Sequence, residues 1–141
     1  MERIRVAGII LFNDMFMLMH RIKEINGEVY DYYAIPGGGL EEEETLEQGV
    51  IREVKEELGV DVKVGRLFHE MQRDGQKEYF YLCEYIDGEF GTGIGPEFND
   101  NEEYKDAGKF LPELVRKESI KDITIFPEEI KEKIINDYID W

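Results

Sequence analysis

The sequence predicts an α/β protein in which one sheet is covered by helices on both faces. Segments rich in β-branched and aromatic residues recur along the chain, and short turn sequences separate them. One amphipathic helix is predicted near the centre of the chain and another at its C-terminal end. The length of 141 residues is typical of one domain, so we expect a single domain over residues 1–141.

The first third of the chain is predicted to form three strands. Residues 3–12 and 16–25 have strand-like composition and flank an Asn-Asp turn. An Asn-Gly dipeptide follows as a hairpin signal, because both residues tolerate the left-handed conformation that tight hairpin turns need. Residues 30–35 form the third strand, which ends at a predicted turn of one proline and three glycines, residues 36–39.

The central helix is predicted over residues 45–58. Thr45 and Gln48 form a capping box at its start, and Gly59 supplies the usual left-handed stop. The apolar residues recur every four positions, so they share one face that we expect to pack on the sheet. These residues are Leu46, Val50, Val54 and Leu58.

The second half of the chain is predicted to contain a hairpin and two helices. Residues 62–73 and 76–86 flank an Asp-Gly dipeptide and form the hairpin. Residues 91–95 are rich in glycine and predict a flexible loop. We expect a short helix over residues 111–117 and a longer one over residues 127–141, which has proline at its start and glutamates in its first turn.

The acidity of the chain excludes two classes of partner. There are 17 basic and 33 acidic residues, which gives a net charge of −16 at pH 7. Such a surface repels nucleic-acid backbones and anionic lipids. Polymeric nucleic acid and membranes are therefore not expected as partners.

Cysteine content and apolar runs indicate the compartment. Cys83 is the only cysteine, so no intramolecular disulfide can form and a reducing environment is the default. The beginning of the sequence has no signal-peptide pattern, and the longest apolar run, residues 6–12, is too short to span a bilayer. These features predict a cytoplasmic protein.

The central helix carries a cluster of acids with spacing suited to a metal ion. Glu53, Glu56 and Glu57 are three and four residues apart, so their carboxylates share one face beside the apolar stripe. Two like charges 4 Å apart repel by about 4 kcal/mol at an effective dielectric constant of 20. A solvated acidic face is the simpler interpretation, but few basic residues compensate this cluster. A hard divalent cation with oxygen ligands, Mg²⁺ or Mn²⁺, would remove the repulsion.

The sequence around this helix resembles the Nudix box of the Nudix (MutT-like) hydrolases. The pattern G-x5-E-x7-R-E-U-x-E-E-x-G-U, in which U is aliphatic, is matched at every fixed position from Gly38 to Val60. The preceding Pro-Gly-Gly and Glu41 also fit the family. The resemblance implies the Nudix fold, an α/β/α sandwich with a mixed central sheet. It also implies hydrolysis of a nucleoside diphosphate linked to another moiety, by attack of a metal-activated water on phosphorus.

The resemblance also assigns roles to individual residues. Arg52 would orient Glu53 by a charge-assisted hydrogen bond, and Glu44 would support the site or bind the metal through water. The implied metal ligands are Glu53, Glu56, Glu57 and the carbonyl of Gly37.

The catalytic base differs within the family, and two alternatives remain for this chain. Glu53 is one, and an acid from a later loop is the other. Glu102 or Glu103 fits the second alternative best by spacing, and Glu97 is a further candidate; we take Glu103 as the catalytic choice. A solvated acidic loop is an equally good interpretation of each of these three residues.

Substrate contacts are expected outside the acid cluster. Arg21 occupies a position where the family often has a basic residue, although a surface arginine at a strand end is an equal alternative. Tyr33 could stack on a base, although core packing is expected for at least one of Tyr32 and Tyr33. The bare backbone at Gly38 could also contact the ligand.

The sequence narrows the class of substrate but does not identify one compound. Gly75 stands about where ADP-ribose hydrolases tend to carry proline, and Lys77 about where dinucleoside polyphosphate hydrolases tend to carry tyrosine. These departures favour a nucleoside triphosphate or another nucleotide derivative. The alternative function is a non-catalytic Nudix-fold module that binds a nucleotide or regulates. Both a monomer and a homodimer are compatible with the sequence.

Overall fold

The computed structural model describes residues 3–93 and 108–138. It contains strands, two α-helices and one 3₁₀ helix. The strands are β1 (Arg3–Phe12), β2 (Met15–Ile25), β3 (Glu28–Ala34), β4 (Gly37–Gly39), β5 (Val60–Arg73), β6 (Gln76–Gly88) and β7 (Lys109–Arg116). The helices are α1 (Leu46–Leu58), the 3₁₀ helix (Lys117–Asp122) and α2 (Glu128–Tyr138).

The strands of the described residues form one mixed sheet. Its order is β3-β2-β1-β6-β5, with β4 paired to β1 and β7 paired to β2. The β1–β6 pair is parallel, and the other pairs of the sheet are antiparallel. β1 and β2 pair only near their shared turn, so the remaining lengths of the two strands diverge into separate halves of the sheet.

Each face of the sheet carries a helix, as the sequence predicts. The alternation of side chains along β1 sends Val6 towards α1 and Ala7 towards α2. The α1 side is a buried cluster that includes Val50, Val54 and Leu58, and the α2 side includes Phe80, Ile130 and Ile134. Burial of these apolar faces on both sides gives the α/β/α arrangement.

Helix α1 is fixed at both ends by the predicted caps. The Thr45 side chain accepts a hydrogen bond from the Gln48 amide at 3.1 Å, and the Gln48 side chain accepts one from the Thr45 amide at 2.9 Å. Gly59 ends the helix in the left-handed conformation with φ 81°. The caps therefore fix where α1 begins and ends, and with it the face of the helix on which its acidic residues lie.

The predicted short helix over residues 111–117 is wrong. This segment lies in β7, which pairs with β2 from Met15↔Arg116 to Ile22↔Lys109, and helical structure starts only at Lys117. Val115 is buried while its neighbours Leu114 and Arg116 are exposed, which is the alternation of a strand. The register with β2 overrides the local helical preference.

Other predicted bounds shift by a few residues. β3 begins at Glu28 rather than residue 30, and the glycine run Gly37–Gly39 forms the edge strand β4 instead of a turn. The described part of the C-terminal helix spans Glu128–Tyr138. Among the described residues, neither α-helix is long and apolar enough to cross a membrane.

Candidate active site

The site begins where the glycine strand β4 meets helix α1. A Cβ atom on Gly38 would lie 2.5 Å from Oε2 of Glu53, so the present position of that carboxylate requires glycine here. The Gly37 amide donates a hydrogen bond of 3.1 Å to Oε2 of Glu57. β4 therefore positions two of the three predicted metal-binding carboxylates through its backbone.

Arg52 is the centre of the acid cluster. Its Nε donates to Glu44 Oε2 at 2.7 Å and its Nη2 donates to Glu44 Oε1 at 3.0 Å, which makes a bidentate pair. Its Nη1 donates to Glu53 Oε1 at 2.9 Å, the hydrogen bond that the family resemblance implies. One guanidinium therefore fixes the positions of two carboxylates.

Further contacts join Arg52 to the rest of the cluster. Its Nη1 also donates to Glu56 Oε2 at 3.3 Å, and its Nη2 donates to the Gly39 carbonyl at 3.0 Å. Glu41 approaches within 3.7 Å. Four glutamates thus surround one arginine, and the cluster keeps an excess of negative charge.

Partial burial makes these interactions strong. The side chains of Glu44 and Glu53 are each 13% exposed, and that of Arg52 is 22% exposed. Hydrogen bonds from Arg52 lower the pKa of Glu44 below its ordinary value, against the opposing effect of its own burial. The same contacts, led by the hydrogen bond with Glu44, raise the pKa of Arg52. Both groups are therefore charged at neutral pH.

The donor chemistry of the cluster fits a hard divalent cation. Its side chains offer carboxylate oxygens, the ligand atoms that such cations prefer. Within residues 3–93 and 108–138, no three histidine, cysteine or acidic side chains already converge on one metal position. Glu53 and Glu56 are instead both turned towards Arg52. The cluster thus has suitable ligand atoms, and Arg52 binds two of these carboxylates.

Two residues in the middle of α1 do not take part in the acid cluster. Gly49 is buried, and a Cβ there would lie 2.7 Å from Leu40 Cδ1, so close packing explains this glycine. Lys55 lies 3.5 Å from Asp61 and so points away from the acid cluster.

Arg21 lies in β2 and Tyr33 in β3, two paired strands in one half of the sheet. The guanidinium carbon of Arg21 is 3.6 Å from the centroid of the Phe110 ring, a stacked cation–π contact. Tyr33 donates a hydrogen bond of 2.5 Å to Glu113 Oε2. The Tyr33 hydroxyl is therefore engaged with a side chain of the protein.

His20 and Tyr33 form a second polar cluster with two acids. The two rings stack with centroids 4.3 Å apart, and His20 Nε2 is 2.5 Å from Asp31 Oδ1. His20 Nδ1 is 3.2 Å from Glu113 Oε1. Burial of the ring alone would lower the pKa of His20, but the bonds to Asp31 and Glu113 outweigh it and raise the pKa above its ordinary value.

A basic cavity next to strands β2 and β3 is not predicted from the sequence. It includes Arg5, Arg73 and Glu78, which come from β1, β5 and β6, together with the predicted Arg21. The parallel β1–β6 pairing sets Arg5 opposite Glu78. No short sequence motif records that long-range pairing, so only the fold brings these charges together.

The loop acids proposed as an alternative base are Glu97, Glu102 and Glu103. All three lie outside the residues that the structure describes. Their roles therefore stay predictions.

The chain belongs to the family described as NUDIX domain, whose model matches residues 2–124. This match covers most of the chain and includes the site just described. The family assignment and the enzyme class, a Nudix hydrolase, are thereby confirmed.

Curated relatives have names that indicate diphosphate chemistry. An ADP-ribose pyrophosphatase of Methanocaldococcus jannaschii is 32% identical, over 98% of this chain and 73% of the relative. An 8-oxo-dGTP diphosphatase of Proteus vulgaris is 32% identical, over 57% of this chain and 70% of the relative. Relatives with different named substrates therefore resemble this chain at equal identity.

Solved structures confirm the fold. A structure of MutT, from work on the Aliivibrio salmonicida and Vibrio cholerae proteins, aligns with a TM-score of 0.72 at 21% identity, over 98% of this chain and all of that chain. A NUDIX hydrolase from Nitrosomonas europaea aligns with a TM-score of 0.71 at 18% identity, over 99% of this chain and 90% of that chain. At these identities the likeness supports the Nudix fold alone.

Proposed function

We propose that this protein hydrolyses a phosphoanhydride bond in a nucleoside diphosphate linked to another moiety. The observation that carries the proposal is the Arg52-centred cluster of carboxylates beside the glycine strand β4. The cluster combines the full Nudix box with a glycine, Gly38, against which the carboxylate of Glu53 packs closely. The names of the relatives agree with this chemistry.

The proposed cofactor is Mg²⁺ or Mn²⁺. When bound, such a cation would activate a water molecule and neutralise charge on the phosphate oxygens. The negative charge that Arg52 leaves uncompensated supports binding of a cation. The proposed ligands are Glu53, Glu56, Glu57 and the carbonyl of Gly37.

The remaining residues of the cluster would position these ligands. Arg52 would hold Glu53 through its Nη1 atom, and Glu44 would hold Arg52 through its bidentate pair. The proton of the attacking water would pass to Glu53 or to an acid of the 97–103 segment, with Glu103 as our choice there. Because Arg52 binds both Glu44 and Glu53, it restricts the motion of these carboxylates, and this favours a preorganised active site.

Two substrate classes remain in competition. The departures at Gly75 and Lys77 favour nucleoside triphosphates or other nucleotide derivatives, and the 8-oxo-dGTP diphosphatase of P. vulgaris supports that choice. The ADP-ribose pyrophosphatase of M. jannaschii supports ADP-ribose, and its similarity extends over nearly the whole chain. Both classes consist of nucleotide derivatives that contain a diphosphate.

The proposed substrate contacts are Arg21, Tyr33 and the backbone of Gly38. Arg21 offers a guanidinium at the edge of the basic cavity, and Gly38 lies directly beside Glu53. Tyr33 is the weakest of the three candidates, because its hydroxyl already binds Glu113 and its ring stacks on His20. We propose a small-molecule substrate, a cytoplasmic location and a monomer or homodimer without nucleic-acid or membrane partners.

A substrate panel tests the proposal. Nucleoside triphosphates, 8-oxo-dGTP and ADP-ribose are incubated with the protein and Mg²⁺ or Mn²⁺ at alkaline pH, and released phosphate, pyrophosphate or nucleoside monophosphate is measured. We expect turnover of at least one compound by the wild type and turnover at least about a hundredfold slower by Glu56→Gln. Micromolar binding of a nucleotide without product over hours would favour the non-catalytic module instead.

A further inference from the structure

Strand β3 lies at the edge of the sheet and contains no proline, lysine or β-bulge. An edge strand presents unpaired N–H and C=O groups, and proteins commonly block it with one of these three features. Of the other edge strands in the described residues, β5 has three register shifts, β7 contains Pro112 and β4 is only three residues long. β3 instead pairs with β2 in regular register, from Met19↔Ala34 to Ile25↔Glu28. It is therefore the edge that can best accept another strand.

The open part of the β3 edge covers residues 28–32. It begins at the hairpin turn that joins β2 to β3, and it ends at Tyr33. There the Tyr33 amide donates a hydrogen bond to the Thr124 carbonyl at 2.8 Å, and the Tyr33 carbonyl accepts one from the Phe126 amide at 2.9 Å. Both ends of the open edge are thus defined, and an added strand has room for a short segment only.

Val29 and Asp31 direct their backbone groups towards this open edge. Alternate residues of an antiparallel strand bond to the same neighbour, and the backbone of Tyr33 bonds outward, so those of Asp31 and Val29 point outward too. In the part of the chain that the structure describes, no strand pairs with β3 on this side of the two residues. Each residue therefore offers one N–H donor and one C=O acceptor to an added strand.

The side chains beside the open edge form an apolar surface that includes one lysine. Four large apolar side chains are exposed there, and Val29 is the most exposed at 66%. The other three are Ile25, Tyr30 and Phe126. These three, together with Tyr32 and Lys23, line a groove of about 360 Å³. The ion pairs among the described residues do not include Lys23.

We propose that β3 pairs antiparallel with β3 of a second copy of this chain, about a two-fold axis at Tyr30. In this register Val29 of each copy lies opposite Asp31 of the other, and the two pairs exchange N–H···O=C hydrogen bonds in both directions. The pairing uses residues 28–32 of both copies, which is the full open length of each edge. A shift of the register in either direction would bring in the hairpin turn or Tyr33, whose backbone groups are already bonded.

The side chains on the groove face also match across the two-fold axis. The two Tyr30 rings become direct cross-strand neighbours, and aromatic pairs of this kind stabilise strand pairing. Glu28 of each copy lies opposite Tyr32 of the other, which lines the same groove as Lys23. The Tyr30 hydroxyl holds Glu28 on this face by donating to its Oε2 at 2.9 Å. A carboxylate of one copy thus approaches a lysine of the other, and this complementary charge favours a second copy as the partner.

Sedimentation equilibrium over a series of protein concentrations tests for this dimer, and it does not depend on the proposed hydrolase function. It is run at about 0.15 M salt, where repulsion between two copies of the acidic chain is largely screened. We expect the mean mass to rise with concentration from that of one chain towards that of two. A mass of one chain up to about 1 mM would overturn the proposal and leave the edge to a segment of another protein.

Val29→Pro assigns the dimer to the β3 edge. Proline removes the outward N–H of this residue, which no described strand accepts, so pairing with β2 is retained. We expect the dissociation constant of the dimer to rise at least about tenfold, because two symmetry-related hydrogen bonds are lost. The matched control is Val29→Thr, which keeps the N–H and the branched shape and should change the constant less than about threefold. An unchanged constant in Val29→Pro would show that the dimer forms elsewhere and overturn the proposal.

Charge reversal tests the register without a change in the backbone. Lys23→Glu and Glu28→Lys should each weaken self-association about tenfold, because like charges then face each other across the axis. An equal mixture of the two variants should form a heterodimer about as stable as the wild-type dimer, since each introduced charge meets one of opposite sign. Circular dichroism confirms that each variant is folded. A mixture that associates no more tightly than either variant alone would overturn this register.

Discussion

The acid cluster and the basic cavity are built in opposite ways. In the acid cluster one arginine, Arg52, is surrounded by glutamates, whereas in the basic cavity one glutamate, Glu78, is surrounded by arginines. In both, the minority ion makes a bidentate pair, to Glu44 in the first and to Arg73 in the second. Residues 35–39 run from the cavity to the cluster.

The comparison shows how a minority ion organises like charges without cancelling them. Arg52 and Glu78 each fix the geometry of their neighbours through hydrogen bonds, and the four glutamates around Arg52 leave an excess of negative charge in the acid cluster. That remaining charge predicts the sign of the ligand. The acid cluster should therefore attract a cation.

The largest effect should follow from removing a metal ligand of the acid cluster. Glu56→Gln and Glu57→Gln each keep the shape of the side chain and remove one negative charge. We expect kcat to fall about 10²- to 10³-fold or more, with the melting temperature nearly unchanged. Steady-state kinetics with the best substrate of the panel measure this loss. The control is Glu42→Gln, an exposed acid just before the helix, and activity surviving in both site variants would refute the metal assignment.

A smaller loss should follow from filling the space beside Glu53. In Gly38→Ala the new methyl group would meet the Glu53 carboxylate at 2.5 to 2.6 Å, so the flexible end of that side chain must move. We expect kcat to fall about tenfold to a hundredfold, because small displacements of catalytic groups are costly.

Gly39→Ala is the matched control for Gly38→Ala. The two residues are adjacent in β4, and a Cβ on Gly39 would meet nothing within 4 Å. It should therefore retain activity within about twofold, since surface substitutions in open space have little effect. Equal losses in the two alanine variants would show that the chain needs glycine for its backbone and not for the Glu53 carboxylate.

The smallest effect should follow from a change in a third charged cluster, the one around His20. In this cluster the charged groups are paired with one another. His20 lies between Asp31 and Glu113, so this cluster needs neither a cation nor an anion from outside. Since the pKa of His20 is raised on folding, protonated His20 stabilises the fold below its ordinary pKa of about 6.5, and this contribution is lost as pH rises through the folded-state value.

Denaturant unfolding at a series of pH values tests this contribution. The free energy of unfolding of the wild type should decrease between pH 6 and pH 9 relative to that of His20→Gln. We expect the two to differ by about 1 kcal/mol at pH 6, the scale of a partly exposed charged hydrogen bond. Parallel pH profiles for the two proteins would contradict the raised pKa.

The sequence predicts the acid cluster far better than the basic cavity. The acids of α1 lie within one helix of defined start and period, so their common face follows from residue spacing alone. The basic cavity draws Arg5, Arg73 and Glu78 from three strands, and its formation depends on the parallel β1–β6 register. Contacts between distant strands leave no local pattern in the sequence.

The errors in the fold have the same origin. The sequence predicts a short helix over residues 111–117, but pairing with β2 places residues 111–116 in β7. The glycine run at 37–39 predicts a turn, but pairing with β1 makes it an edge strand. By contrast, α1 and its caps are confirmed, because Thr45, Gln48 and Gly59 act locally.

Titration of Mn²⁺ into the metal-free protein, followed by electron paramagnetic resonance, tests most directly that the acid cluster is a metal site. We predict saturable binding to the wild type and at least tenfold weaker binding to Glu56→Gln, because a carboxylate ligand is lost. The Glu42→Gln control should bind Mn²⁺ as the wild type does. Equal Mn²⁺ affinity in the wild type and Glu56→Gln would contradict the account.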